Sequence, residues 1–198
     1  AKQNRREKIR MRTYVERPTV DSPAFLEVKS KDAEGIGHKF RLVSNPSSIT
    51  RLMTDGLVDQ TIQDLDLVQE IQALRQRYDH RLQPQMYIYY DRLSLKEKKS
   101  IQGYPYNKIR VTLDQNLVYR DQQVSLLHGK AGEPLLEENT IIMEVKAPGE
   151  EPQWLKDILD KYRLVKQKFS KYSCAYHKSQ GLDYAPTPIQ ERTGAAYV

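Results

Sequence analysis

Apolar and polar residues alternate with a period of two along several stretches of this chain, the signature of strands that turn one face to a core. In the segment 5–15, RREKIRMRTYV, Lys8, Arg10 and Arg12 fall on one face, and Ile9 and Met11 on the other. Residues 24–31, AFLEVKSK, set Phe25, Glu27, Lys29 and Lys31 opposite Leu26 and Val28. His38 to Val43 repeats the pattern with Lys39 and Arg41, and Gly35 and Gly37 predict the hairpin loop before it. KIRVTL at 108–113 and TIIMEVKA at 140–147 alternate again, pairing Lys108 with Arg110 and Glu144 with Lys146. MYIYYDRL at 86–93 is strand-like through its aromatic and β-branched content.

Other stretches change period. Asn45-Pro-Ser-Ser opens a predicted helix reaching about Met53. Leu67, Val68, Ile71 and Leu74 recur at helical spacing inside a second helix over Leu65 to His80. Pro152-Gln-Trp-Leu starts a third, running to about Tyr162, with Trp154 expected in the core. The stretch 165–178 is compatible with helix, strand or junction. Polar, turn-rich composition predicts a loop at 94–107, a turn at Asp114-Gln-Asn and an excursion over 121–139. Past Gly181, the residues Pro186, Pro188 and Gly194 break any periodicity, so 179–198 reads as a tail, ordered only where it docks.

Composition narrows the class. A length of 198 residues suits one domain with appendages. Lys and Arg number 32 against 26 Asp and Glu, a net charge of +6 that permits a polyanionic partner without requiring one. Cys174 is the lone cysteine, so no internal disulfide can form and a reducing, cytoplasmic setting is expected. One Cys and four His supply no plausible zinc set. No apolar run approaches the roughly 20 residues that span a bilayer. The N-terminal AKQNRREKIRMR does not read as a secretory signal.

The recurring charged faces admit two readings. One is an antiparallel sheet with a solvated face. The other is a sheet curled so that the charged faces line an interior. Cations about 7 Å apart on a strand repel by roughly 2 kcal/mol at an effective dielectric near 20, so an inward-facing set is strained when empty. A polyphosphate chain relieves that strain, and Arg matches phosphate by bidentate donation where Lys acts as a point charge. Glu27 and Glu144 neutralise part of the field, and either could hold a hard divalent ion.

Read in order, FLEVKSK, HKFR, YYDR, KIRVTLD, IIMEVK with PQWL, and FSKY resemble the VTC domain. That is the polyphosphate polymerase domain of the triphosphate tunnel (CYTH-like) superfamily. The resemblance covers roughly residues 6–175. It implies an α+β fold, an antiparallel barrel-like β-tunnel flanked by helices, with the family's first strands absent ahead of the KIRMR strand. It divides the chain into a tunnel domain, 1–178, and a C-terminal tail, 179–198. It implies a metal-dependent phosphotransferase that moves the terminal phosphate of ATP onto a growing polyphosphate chain, with Mn2+ or Mg2+. Arg10 and Arg12 would stand in the tunnel wall, Lys29 and Lys39 would contact phosphate, and Tyr90, Arg92 and Arg110 would bind nucleotide or product phosphates. Glu144 would be the metal ligand, and Lys168, Ser170 and Lys171 would close the phosphate site.

Plainer roles stay open for the same residues. Lys29 and Lys39 could be solvated strand lysines, and Arg92 and Arg110 could form surface bridges with Asp91 or Asp114. Glu144 could pair with Lys146, and Tyr90 could be a core aromatic. With water as acceptor the activity becomes triphosphate hydrolysis, and without turnover the chain is a polyphosphate or nucleotide sensor. The expected partners are ATP and polyphosphate or pyrophosphate. Nucleic acid is not expected, because the basic residues are spread over many strands rather than gathered on one helix or tail.

Overall fold

The computed structural model describes residues 7–31, 36–79, 82–98 and 106–189. They fall into two compact units, Ala1–Gln85 with Gln123–Gly129, and Met86–Gln122 with Lys130–Val198. The class is mixed α+β with antiparallel sheets, as the alternation predicts. Among the described residues these sheets are open ladders, and no closed barrel forms.

In the first unit, β1 (Lys8–Arg12), β2 (Ala24–Lys31) and β3 (Gly37–Ser44) make a sheet in that order. Two helices follow, α1 (Pro46–Asp55) and α2 (Leu65–Arg77). Asn45 starts α1 by accepting from the Ser48 amide at 2.8 Å, and Pro46 occupies the first turn, where its missing N–H costs nothing. Asp64 caps α2 on the Leu67 amide at 3.0 Å. Leu26, Val28 and Leu42 from the sheet meet Ile49, Leu52, Leu67, Ile71 and Leu74 from the helices in one core. The hairpin loop expected around Gly35 lies outside the described residues, whereas α2, expected to reach His80, ends at Arg77 with Tyr78 as its C-cap.

In the second unit, β4 (Tyr87–Lys96) and β5 (Arg110–Arg120) are the long central pair. The other edge of β5 carries β6 (Glu133–Pro134) near its end and β7 (Ile142–Lys146) near its start. α3 (Gln153–Lys161), β8 (Gln167–Lys168), α4 (Lys171–Ser179) and β9 (Thr187–Pro188) complete it. Leu117, Tyr119, Leu135, Cys174 and Ala175 form its buried core.

Four local expectations are corrected here. Asp114-Gln-Asn does not turn the chain: β5 runs through it, and the pairing register shifts between Tyr89 and Asp91. Asn116 absorbs the extra residue at φ 53°, a conformation Asn tolerates, and donates to Asp91 at 2.9 Å. Residues 94–96 are strand rather than loop, while Lys108 sits before β5 at φ 56°. Trp154 is 43% exposed, and Leu155 is the buried residue of α3. The segment after Gly181, read as a tail ordered only where it docks, docks where it is described. The Tyr184 hydroxyl accepts from the Ser170 amide at 3.0 Å, its ring packs on Phe169 and His177, and β9 pairs with β8.

Leu74 is buried where α2 closes the first core. Leu74→Ala is expected to cost about 2–5 kcal/mol. Urea unfolding followed by far-ultraviolet circular dichroism checks it, and a midpoint equal to the parent's would contradict this packing.

Candidate functional site

Sheet register builds the charged face of the first unit row by row. Lys8, Lys29 and Lys39 lie directly across from one another, then Arg10, Glu27 and Arg41, then Arg12, Phe25 and Val43. Opposed residues on antiparallel strands share a face and nearly touch, so three lysines in a row repel. Glu27 answers them from the central strand. It is 2% exposed, and takes Arg10 Nη2 on Oε2 at 2.7 Å, Arg12 Nη2 on Oε1 at 2.6 Å and Lys39 Nζ at 3.7 Å. The Arg41 guanidinium lies 4.1 Å from the Phe25 ring centroid.

The second unit repeats the plan. Lys96, Arg110 and Lys146 form one row, Ser94, Thr112 and Glu144 the next, and Arg92, Asp114 and Ile142 the third. Asp114, on the central strand, is fully buried. Arg92 holds it with two bonds, Nε to Oδ1 at 2.6 Å and Nη2 to Oδ2 at 2.7 Å. Lys171 Nζ, from the start of α4, reaches Oδ2 at 2.7 Å. Both cations also face the Tyr90 ring, Arg92 at 5.0 Å and Lys171 at 4.9 Å from its centroid. Glu144 is 45% exposed and meets Lys146 Nζ at 3.0 Å. The Thr112 hydroxyl is buried with no hydrogen-bond partner, as is Arg12 Nε.

The polarity of this second sheet is unusual. Asp114 and Thr112 are buried, whereas Leu93 and Leu95 on the opposite face are 55% and 50% exposed. A flat sheet with a solvated polar face has the reverse distribution.

Most sequence-predicted residues therefore gather in two sets. Arg10, Arg12 and Lys39 surround Glu27, with Lys29 on the same face. Arg92, Lys171 and Tyr90 surround Asp114, with Arg110 and Glu144 on the same face. Two residues have other surroundings. Ser170 caps α4 on the Ser173 amide at 3.3 Å, and Lys168 is exposed on β8. The Arg92–Asp114 pair exists, but as a buried clamp rather than a surface bridge. Tyr90 both packs on the second core and carries the two cations. Lys96 was missed, although its spacing from Arg92 through Ser94 continued the alternation. A cavity of about 170 Å³ lies on the apolar side of the first sheet among Val28, Phe40 and Leu74, away from these residues.

Three carboxyls of these two charged faces are shifted down against the pull of burial. Burial raises Glu27, but the Arg10 hydrogen bond and the charges of Arg12, Arg10 and Lys39 outweigh it. Burial raises Asp114, and hydrogen bonds from Arg92 and Lys171 bring it below its ordinary value. Glu144 follows the same balance, with Lys146 leading and Arg92 and Lys171 adding charge. Asp114 in turn raises Arg92. As metal donors, Glu27 and Asp114 have both oxygens engaged by cations. No group of three His, Cys, Asp or Glu side chains able to hold an ion occurs among the described residues. Glu144 offers one carboxylate, which fits a divalent ion only when phosphate oxygens supply further ligands.

Removing Glu27 frees partly exposed arginines that can hydrate, so Glu27→Gln is expected to cost about 1–3 kcal/mol. Removing Arg10 and Arg12 together strands a buried carboxylate and is expected to cost more, about 3–5 kcal/mol. Urea titrations of both variants test that order. Because the folded carboxyls lie below their unfolded values, the stability they contribute is complete above about pH 4.5 and is lost as pH falls through the folded values. Melting midpoints should be flat in this respect at neutral pH and drop below about pH 4, with a shallower acid limb in Glu27→Gln.

Neither the curated proteins nor the solved structures yielded a match. A family model, the VTC domain, matches residues 1–179, nearly the whole of the described structure and both carboxylate-centred cation sets. The chain belongs to the VTC domain family.

Proposed function

We propose that this chain is a polyphosphate polymerase-like phosphotransferase, moving the terminal phosphate of ATP onto a growing polyphosphate chain inside a basic tunnel. Membership of the VTC family ties it to polyphosphate in general. The observation that carries the finer reading is the meeting of Arg92, Lys171, Tyr90 and Glu144 on one sheet face, from β4, α4 and β7. These residues are distant in sequence, and a polyanion is what two clamped cations beside an aromatic ring suit. No described helix is long and apolar enough to cross a membrane.

The chemistry asks little covalent work of the protein. Phosphoryl transfer is served by positioning and by charge placed where oxygens accumulate it. Arg92 and Lys171 bind phosphate oxygens, Arg110 with Lys96 and Lys146 extends the cationic row, and Tyr90 limits water on one side. Arg10, Arg12, Lys29 and Lys39 supply the corresponding contacts in the first unit. Glu144 would hold Mn2+ or Mg2+ together with phosphate oxygens, and a bound ion would add Lewis-acid charge neutralisation. A second reading, a sensor that binds polyphosphate without turnover, gains support from the cations around Glu144, since Lys146, Arg92 and Lys171 oppose a metal ion there.

Incubation of the chain with ATP and Mn2+ tests the proposal, with polymer read on a gel and phosphate by release assay. Polymer is the expected product, and phosphate alone would mean that water is the acceptor. Glu144→Ala and Arg110→Ala should each lower the rate by about 100-fold or more. Full activity in either variant removes that residue's role. Chelator-insensitive binding of polyphosphate with no product would select the sensor.

A further inference from the structure

We infer that Asp114 is the positioning residue of the phosphate site: it never meets the phosphate chain and acts by fixing Arg92 and Lys171. The inference rests on the phosphate-binding reading above. Asp114 is fully buried, so a ligand cannot reach it. Its oxygens are spent on the two cations, at 2.6 and 2.7 Å to Arg92 and 2.7 Å to Lys171. A guanidinium has five N–H donors and an ammonium three. Arg92 spends two on Asp114 and Lys171 one, which leaves most of the donors on both side chains for phosphate oxygens.

Their directions are also set. A two-point bond to a carboxylate fixes the plane of the guanidinium, which one bond cannot do. Tyr90 backs both cations at about 5 Å, so neither can swing away over that side. The clamp ties β4 to β5 through a directly opposed pair and ties α4 to the sheet through its first residue. One carboxylate thereby brings donors from two distant segments to one place before any ligand arrives, and preorganised donors lose less freedom on binding.

Charge and position make opposite demands on one variant. Asp114→Asn keeps the shape and raises the net charge of the site by one. If Asp114 merely offsets charge, tripolyphosphate should bind more tightly to the variant. If it positions, binding should weaken by about tenfold or more while the circular dichroism spectrum is retained. The experiment is calorimetric titration of the 198-residue chain with sodium tripolyphosphate at two salt concentrations. Tighter or unchanged binding by Asp114→Asn overturns the positioning role and leaves the phosphate reading standing. Absence of binding by the parent chain overturns the phosphate reading, and this role with it. Should Asp114→Asn fail to fold, Asp114→Glu decides the matter, since it keeps the charge and shifts the carboxylate by one methylene while leaving Arg92 and Lys171 in place. Binding equal to the parent's would refute positioning, and a loss of tenfold or more would support it.

Discussion

Mutual repulsion among cations on neighbouring strands is the constraint under which both units are built. Like charges directly opposite on a sheet, about 5 Å apart, repel by roughly 3 kcal/mol at an effective dielectric near 20. Lys8, Lys29 and Lys39 form such a row, and so do Lys96, Arg110 and Lys146. In each sheet a carboxylate stands on the central strand within two rows of the cations, Glu27 in one and Asp114 in the other. Only a central strand has neighbours on both sides, so only there can one carboxylate answer basic residues from two directions. Glu27 takes Arg10 and Arg12 from β1 and Lys39 from β3.

Register and electrostatics therefore specify each other. Shifting β2 by one residue would send Glu27 into the apolar core with Leu52 and Ile71, with no cation in reach, and would turn Leu26 and Val28 onto the charged face. The hydrophobic pattern and the ion pairs select the same pairing, so neither has to hold the sheet in register unaided.

The alternation of charged and apolar residues made the strands legible, because strand period is strict and needs no tertiary information. It also placed Arg10, Arg12, Lys39 and Glu144 on the faces that the register gives them. Burial was not legible. The sequence around Asp114 has turn composition, and a polar triplet gives no local sign that the strand continues through a bulge. Asp114 therefore read as an exposed partner for Arg92, whereas α4, almost sixty residues onward, covers it and sends Lys171 to it. Ser170 and Lys171 show the same limit: adjacent in one motif, they part because a helix begins between them, leaving one as a cap and the other as a cation of the site.

The bulge accounts for how one sheet face can be both site and core. Before it, Arg110, Thr112 and Asp114 occupy the face; after it, the extra residue brings Leu117 and Tyr119 to that same face. β4 changes in step, from Arg92 and Ser94 to Tyr90 and Ile88. A continuous period of two would instead have placed Asn116 and Val118 there and given α4 no apolar bed for Cys174 and Ala175. With the shift, α4 rests on the apolar half and its first residue crosses to the polar half, where the cover it provides removes Asp114 from water. Ion pairs strengthen as the local dielectric falls. The same packing that buries Cys174 and Ala175 thus hardens the clamp on Arg92 and Lys171, and the hydrophobic core of the second unit sets the stiffness of its charged site.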